Sequence, residues 1–375
     1  MCGATYKKCQ SEMSIAEGRT LRIYGSLRTA QLERLSQMDP SLMWYLDTRP
    51  DFDESLIDLE SPPVQMSLRE ILLGLTKRHF ERIEVNEPAL VAQWKLLIPV
   101  LLILRIRGFL TRRRSTVVSY CIENFDPSTI AQQRWGISER SARSLAWIVL
   151  QLLVRGSDRL AFGSRGSQQL YESYVGKACL NSRSRLFEAL PSRCACLSDA
   201  HSKRDSDGVL FLGAFVNRKG ILPTLGAWQT LQRIRPETRF TLIGAGSLQP
   251  QVESWAVAHG EVCVLLDPPR EQIHRALREN SVLVLLPQKE QLGLPILEAL
   301  SHGCEVVTNS ETGLAAWLAA HGHGVLPPDS SAEAVADAIA MALDRAALRE
   351  GSLKDLPTTD QRIEADRWLA TGGSG

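Results

Sequence analysis

Short, nearly continuous apolar runs alternate along this chain with longer stretches in which apolar positions recur every three or four residues. Runs of the first kind suit strands covered on both faces, and stretches of the second kind suit amphipathic helices, so the alternation predicts α/β units on parallel sheets. In the second half the predicted strands are GVLFLGAF (208–215), RFTLIGAG (239–246), CVLLD (263–267), VLVLLP (282–287), CEVVTN (304–309) and GVLP (324–327). These six fit one Rossmann-like domain. In the first half LRIYG (21–25), LMWYL (42–46), ERIEV (81–85), TVVSYCI (116–122) and RLAFGS (159–164) form a second, less regular set. The polar stretch LSDAHSKRDSDG (197–208) separates the two sets and reads as a linker. The expected organisation is an N-terminal domain over 1–200, a C-terminal domain over 201–350, and a segment over 351–375. In that last segment DQRIEADRWLA forms a helix that returns to the N-terminal domain, ahead of a flexible GGSG tail. No solenoid-type repeat is present.

Composition narrows the function classes only a little. At 375 residues and a formal charge of +1, the chain is long enough for two cores and carries no global charge that calls for a polyanionic partner. Its eight cysteines are scattered, and Cys121, Cys263 and Cys304 fall in strand-like runs, so they read as reduced, largely buried thiols of a cytoplasmic protein. Cys194 and Cys196 are too close for a common zinc spacing, and the seven histidines offer no metal-like pair in sequence; no metal site is expected. His321 and His323 read as a helix end. The opening MCGATYKKCQSEMSIAEG lacks the apolar core of a signal peptide and is expected to be frayed.

Candidate chemistry concentrates in QKEQLGLPILEALSHG (288–303), directly after VLVLLP. Pro295 suits the first turn of a helix and Gly303 its stop, which predicts a short helix starting near Leu294. The first amides of such a helix carry partial positive charge and suit a phosphate, and Gly293 lets a ligand approach the backbone. Glu290 precedes that end and Glu298 lies one turn inside it. Two carboxylates would repel a phosphate if both faced it, so they are expected to bind ligand hydroxyls on either side. That pattern describes a sugar nucleotide.

Three ordered motifs carry a family resemblance: FLGAFVNRKGI (211–221), FTLIGAGSLQPQVESWA (240–256) and EQLGLPILEAL (290–300), whose two glutamates are separated by seven residues. Together they resemble the retaining glycosyltransferases of the GT-B fold, in particular family 4, over about residues 205–330. The resemblance implies two Rossmann-like domains facing each other across a cleft, and a hexosyl group moved with retention from a nucleotide-sugar donor to a saccharide, lipid-linked or small-molecule acceptor. No cofactor and no catalytic metal are implied. Lys219 and Arg218 would neutralise the departing diphosphate. The strand-end glycines Gly213, Gly244 and Gly246, with the amides of Gly293 and Leu294, would line the donor seat. Glu298 would hold the ribose, and Glu290 would lie at the donor sugar. The chain departs from the family at Ala214, where many relatives have arginine, and at SETGLAAWL (310–318), which is more apolar than usual.

The N-terminal half resembles the family only loosely and lacks the Gly-rich acceptor loop after its first strand. Acceptor-side candidates are Glu123, Asn124 and Asp126 in CIENFDPS, against a plain Asp-Pro turn, and Ser164 and Arg165 in GSRGSQQ, against a helix cap. WKLLIPVLLILRIRGFLTRRR (94–114) joins an apolar run to Arg105, Arg107, Arg112, Arg113 and Arg114. It reads as a buried crossover helix with a basic end, the alternative being a peripheral contact with acidic lipids. RWGISERSARSLAW (134–147) reads as a crossover helix, not a DNA-reading element, and no nucleic-acid partner is expected. Two other functions stay open at this stage: a nucleotide-sugar epimerase on the same fold, and a non-catalytic binding subunit.

Overall fold

A computed structural model describes residues 20–28, 31–32, 38, 41–48, 62–188, 194, 207–259, 262–290, 292–348 and 361–372. The N-terminal stretch through residue 19, Cys2, Cys9 and Cys196, residues 197–206 of the linker, and 373–375 of the tail lie outside the described residues. The chain divides into two compact units: the boundary falls between Ala189 and Leu190, and the chain rejoins the first unit at Gln361.

The N-terminal unit holds β1 (Thr20–Leu27), β2 (Ser41–Thr48), β3 (Val64–Gln65), β4 (Arg82–Val85), β5 (Thr116–Cys121), β6 (Arg159–Phe162) and β7 (Ser184–Leu186). They form one parallel sheet in the order β3-β2-β1-β4-β5-β6-β7. The crossovers carry α1 (Leu68–Lys77), α2 (Trp94–Thr111), α3 (Pro127–Trp135), α4 (Glu139–Gly156), α5 (Arg165–Val175) and α6 (Lys177–Leu180). The 134–147 stretch is a helix junction inside the β5-to-β6 crossover: α3 stops at Gly136 in the left-handed conformation, and Ser138 caps α4. One face of α2 packs Leu97, Val100, Leu101 and Leu104 into the core.

A buried charge cluster explains why α13 (Gln361–Thr371) packs on this sheet. Arg22 on β1 and Glu84 on β4 sit in register on neighbouring strands and pair at 2.7 Å with both side chains fully buried. On α13, Asp366 meets Arg22 at 2.8 Å and Arg362 meets Glu84 at 2.5 Å, with the Arg362 guanidinium 4.2 Å above the Tyr120 ring. Ala365 and Leu369 of the same helix join a small apolar cluster with Val118, Ala161 and Phe187. Burial pushes the Glu84 carboxyl up, but Arg22 and Arg362 outweigh it and hold its pKa down to about 2.

The C-terminal unit holds β8 (Gly208–Leu212), β9 (Arg239–Ile243), β10 (Val262–Leu265), β11 (Val282–Leu285), β12 (Glu305–Asn309) and β13 (Gly324–Leu326), all six expected from the apolar runs. Between them run α7 (Ile221–Ile234), α8 (Gln249–Val257), α9 (Arg270–Glu279), α10 (Leu294–Ser301) and α11 (Ala315–Ala320), and α12 (Ala332–Leu348) follows β13. The parallel order β10-β9-β8-β11-β12-β13 reverses direction between β8 and β11. Ligands of open α/β sheets bind at the carboxyl ends of strands beside such a reversal. The strands nearest it are fully covered, with all of β11 buried, and Trp228 stacks on Phe240 at 4.6 Å beneath them. Cys121 and Cys304 are buried as expected, whereas Cys263 is exposed, because β10 is an edge strand with one open side.

Candidate functional site

The loops leaving β8 and β11 meet at that reversal. After β8 the chain makes a single turn over Asn217–Lys219, and Gly220, left-handed at φ 73°, leads into α7. The Gln288 amide donates to the Arg218 carbonyl at 2.8 Å, which stitches this turn to the loop after β11. That second loop is fixed from its other side: the Glu290 amide donates to the Glu311 carbonyl at 2.9 Å, and the Gly313 amide donates to the Glu290 carbonyl at 2.9 Å. The carboxylate of Glu290 is thereby held against two cations, Lys219 Nζ at 2.5 Å and Arg218 Nη1 at 3.2 Å. Lys219 and Glu290 are largely covered, with side chains 13% and 15% exposed, while Arg218 is half open at 54%.

Gly293 ends this loop and starts α10 with φ 68° and ψ 61°, a conformation that a side chain disfavours. The amides of Ile296 and Leu297 both donate to the Gly293 carbonyl, and Pro295 has no amide hydrogen. Among the described residues the amides of Gly293 and Leu294 make no hydrogen bond, so these two are the donors that an anion at this terminus would meet. Thr312, beside Gly293, has a buried hydroxyl with no partner among the described residues. One turn into the helix, Glu298 accepts from Arg270 Nη2 at 2.8 Å.

Gly213, Gly244 and Gly246 build the floor of this region through backbone packing. The Gly213 amide donates to Ile243 and the Phe215 amide to Ala245, and a Cβ on Gly244 would lie 2.0 Å from the Gly213 carbonyl oxygen. The turn after β9 can approach the turn after β8 only because glycine stands there.

In the N-terminal unit the candidate residues divide by task. Asp126 caps α3, accepting from the Ser128 amide at 2.8 Å and from Tyr174 Oη at 2.5 Å. Burial works to raise its pKa, but these hydrogen bonds outweigh it and bring it down. Ser164 caps α5 by accepting from the Ser167 amide at 3.1 Å, and the exposed Arg165 pairs with Glu188 at 3.3 Å. Asn124 lies against Gly166 at the start of α5. Glu123 is buried, its Oε1 accepting from the Phe125 amide at 3.0 Å, and burial raises its pKa.

Sequence reasoning missed Glu87, which the structure places beside Glu123. It follows β4 with φ 62° and is half-buried, and its carboxylate accepts the amides of Ile122 and Glu123 at 3.0 Å. Burial pushes its pKa up to about 7 in spite of these donors. Its sequence context, Asn-Glu-Pro after a strand, reads as an ordinary turn and carries no signal of that burial. Arg270 and Thr312 were likewise missed, because their partners are set by packing.

The basic run is partly consumed by the fold. Arg105 bonds the Gly156 carbonyl and Asp158, Arg107 bonds the carbonyls of Leu75 and Arg78, and Arg114 pairs with Asp158 at 2.5 Å. Arg112 and Arg113 are exposed beside Phe109 and Leu110, which are 86% and 73% exposed. No helix among the described residues is long and apolar enough to cross a membrane. The absence of a histidine pair in sequence also needs correction in space: His274 and His302, 28 positions apart, meet where α9 packs beside the end of α10.

Comparison with known proteins agrees with this fold. Residues 198–351 match the family model described as glycosyl transferases group 1. The chain is 26% identical over 230 residues to an alpha-D-kanosaminyltransferase of Streptomyces kanamyceticus, a match covering 60% of this chain and 58% of that relative's length. Among solved structures it is similar to HepE of Anabaena in complex with UDP-glucose, with a TM-score of 0.63 at 13% identity over 94% of this chain and 98% of that one. A UDP-forming alpha,alpha-trehalose-phosphate synthase of Burkholderia xenovorans gives a TM-score of 0.61 at 12% identity, covering 94% and 98% of the two chains. Residues 198–351 are therefore similar to glycosyl transferases group 1, and the two parallel α/β units have the architecture of the GT-B fold.

Proposed function

We propose that this protein transfers a hexosyl group, with retention, from a nucleoside-diphosphate sugar to a hydroxyl-bearing acceptor. The observation that carries the reading is the convergence of Lys219 and Arg218 on Glu290, in the loop that ends at Gly293, at the reversal point of the C-terminal sheet. A diphosphate seated on the Gly293 and Leu294 amides comes within reach of both cations, which stabilise the charge that builds as the sugar–phosphate bond breaks. Glu290, drawn toward the cations, stands where the sugar leaves and offsets positive charge at the anomeric carbon. Glu298, oriented by Arg270, accepts the ribose hydroxyls. Glu123, buried, and Glu87, half-buried, belong to the N-terminal unit, the unit assigned to the acceptor, and their carboxylates hold the loop that follows β5.

The test is a calorimetric panel of nucleosides, nucleoside diphosphates and sugar nucleotides. Because HepE was solved with UDP-glucose, the uridine series comes first. Micromolar binding of a diphosphate, far weaker binding of its nucleoside, and sugar release that depends on an added acceptor support the reading. Equal affinities for nucleoside and diphosphate refute it, and acceptor-independent conversion of the donor identifies an epimerase instead.

A lipid-linked acceptor is consistent with the outer face of α2, where Leu102, Ile106, Phe109 and Leu110 fall at helical spacing and all are exposed. With Arg112 and Arg113 at its end, this stripe has the composition of a segment that leans on an anionic membrane surface.

A further inference from the structure

We propose that Cys194, His274 and His302 form a binding site for zinc or a cation of the same class on the C-terminal unit. The three ligand atoms lie within 4.8 Å of one another. His302 caps the C-terminal end of α10, and its Nδ1 is 2.6 Å from the Glu298 carbonyl oxygen. A carbonyl can only accept, so Nδ1 carries the proton and Nε2 carries the lone pair. This is the device that orients metal-binding imidazoles: one ring nitrogen donates to a backbone oxygen and the other is aimed at the ion. That Nε2 lies 3.0 Å from His274 Nδ1, and Cys194 Sγ lies 3.7 Å from the same His274 atom.

These separations match a tetrahedral zinc edge. Zinc–nitrogen bonds of ~2.0–2.1 Å and a zinc–sulfur bond of ~2.3 Å at tetrahedral angles put nitrogen about 3.3 Å from nitrogen and about 3.6 Å from sulfur. Two imidazoles and a thiolate are a borderline-soft donor set, which selects zinc over magnesium or calcium and leaves one position for water or a fourth ligand. The backbone favours a cation here as well. The Cys194 amide donates to the Ser301 carbonyl at 3.2 Å, which seats the thiol at the negative end of the α10 dipole. An ion at this point ties the chain at Cys194 to α9 and to α10, at the opposite end of α10 from Gly293.

The protein is to be expressed with zinc in the medium, purified without chelator, and analysed for metal by mass spectrometry. The expected content is about one zinc per chain, falling below about a tenth of that in Cys194→Ser, His274→Ala and His302→Ala. Cobalt titration of the chelator-stripped wild type tests the ligands without needing any variant to fold. The intense visible bands of tetrahedral cobalt and a near-ultraviolet thiolate charge-transfer band are expected, the latter lost in Cys194→Ser. A wild-type protein that binds neither zinc nor cobalt in this way overturns the proposal, and so does metal content that survives all three substitutions.

Discussion

Replacing Lys219 by alanine should weaken the affinity for a nucleoside diphosphate, and replacing Glu290 by glutamine should not. Before ligand arrives, Lys219 is already committed to Glu290 at 2.5 Å, and Arg218 shares the same carboxylate oxygen at 3.2 Å. A diphosphate therefore competes with Glu290 for these cations. A charge-assisted hydrogen bond is worth about 1.5–3 kcal/mol, and because part of that is already spent on Glu290, the lower figure applies to Lys219→Ala. At about 1.4 kcal/mol per decade this is close to a tenfold loss of diphosphate affinity, with nucleoside affinity unchanged. Glu290→Gln removes the competitor and keeps its shape, so diphosphate affinity should hold or rise by up to about tenfold while turnover falls, since the lost charge acts on the transition state. Titration calorimetry with diphosphate and nucleoside, together with steady-state kinetics on the true donor, reads both effects. If Glu290→Gln weakens diphosphate binding as much as Lys219→Ala does, the ion pair is a strut that shapes the loop, and the charge argument is wrong.

Glu298→Gln should weaken binding of nucleoside and diphosphate alike, because the ribose contact is present in both and Arg270 loses its ionic partner; equal wild-type affinities would remove Glu298 from the site. Asp366→Ala should cost about 3–5 kcal/mol in denaturant unfolding, since it strips one of two carboxylates from the fully buried Arg22, and a loss below about 1 kcal/mol would mean that α13 is held by its apolar face. Glu87 titrates higher in the folded protein, so the stability it contributes is complete below its unfolded pKa and is lost as pH rises through about 7; the fall approaches ~3 kcal/mol and should be missing from Glu87→Gln when unfolding is compared at several pH values. Glu84 has the opposite sign, its contribution being present above its unfolded pKa and lost as pH falls toward about 2, so the two windows do not overlap. Phe109→Ser with Arg112→Gln and Arg113→Gln should abolish binding to acidic liposomes and leave the fold intact, and wild-type binding by this variant would end the membrane reading of α2.

The strands were legible because parallel strands are covered on both faces and so cannot avoid writing continuous apolar runs, as β11 does with Val282 to Leu285. β3 and β7 escaped notice for the converse reason: at two and three residues, with side chains partly or fully exposed, they impose no pattern. Glu290, Lys219 and Gly293 could be read because each lies in a local motif whose spacing reports the turn that holds it. Arg270, Glu87 and the His274–His302 contact could not, because nothing local distinguishes them and their partners arrive from other crossovers. The return of α13 was legible as a late helix, but its cause, carboxylate and guanidinium groups four residues apart aimed at a buried pair on β1 and β4, was not.

The two departures of this chain from the family pattern meet at one carboxylate. Ala214 stands where the resemblance leads one to expect a cation just after the first glycine, and Arg218 brings its guanidinium to 3.2 Å from Glu290. The turn that carries Arg218 is held by the Gln288 amide on the Arg218 carbonyl, so the loop bearing Glu290 positions its own cation. The unusual 310–318 segment holds the same loop from behind, through the Glu311 carbonyl on the Glu290 amide and the Gly313 amide on the Glu290 carbonyl. A residue at 214 would reach the diphosphate independently of Glu290; a residue at 218 reaches it only while that loop is in place. On this reasoning, loosening the support by Glu311→Ala, whose side chain also accepts from the Lys289 amide at 3.3 Å, should affect Arg218 and Glu290 together. Diphosphate affinity should then fall less in the Glu311→Ala, Arg218→Ala double variant than the sum of the two single losses. Strict additivity would show that Arg218 acts alone and that the charge missing at Ala214 is replaced by some other route.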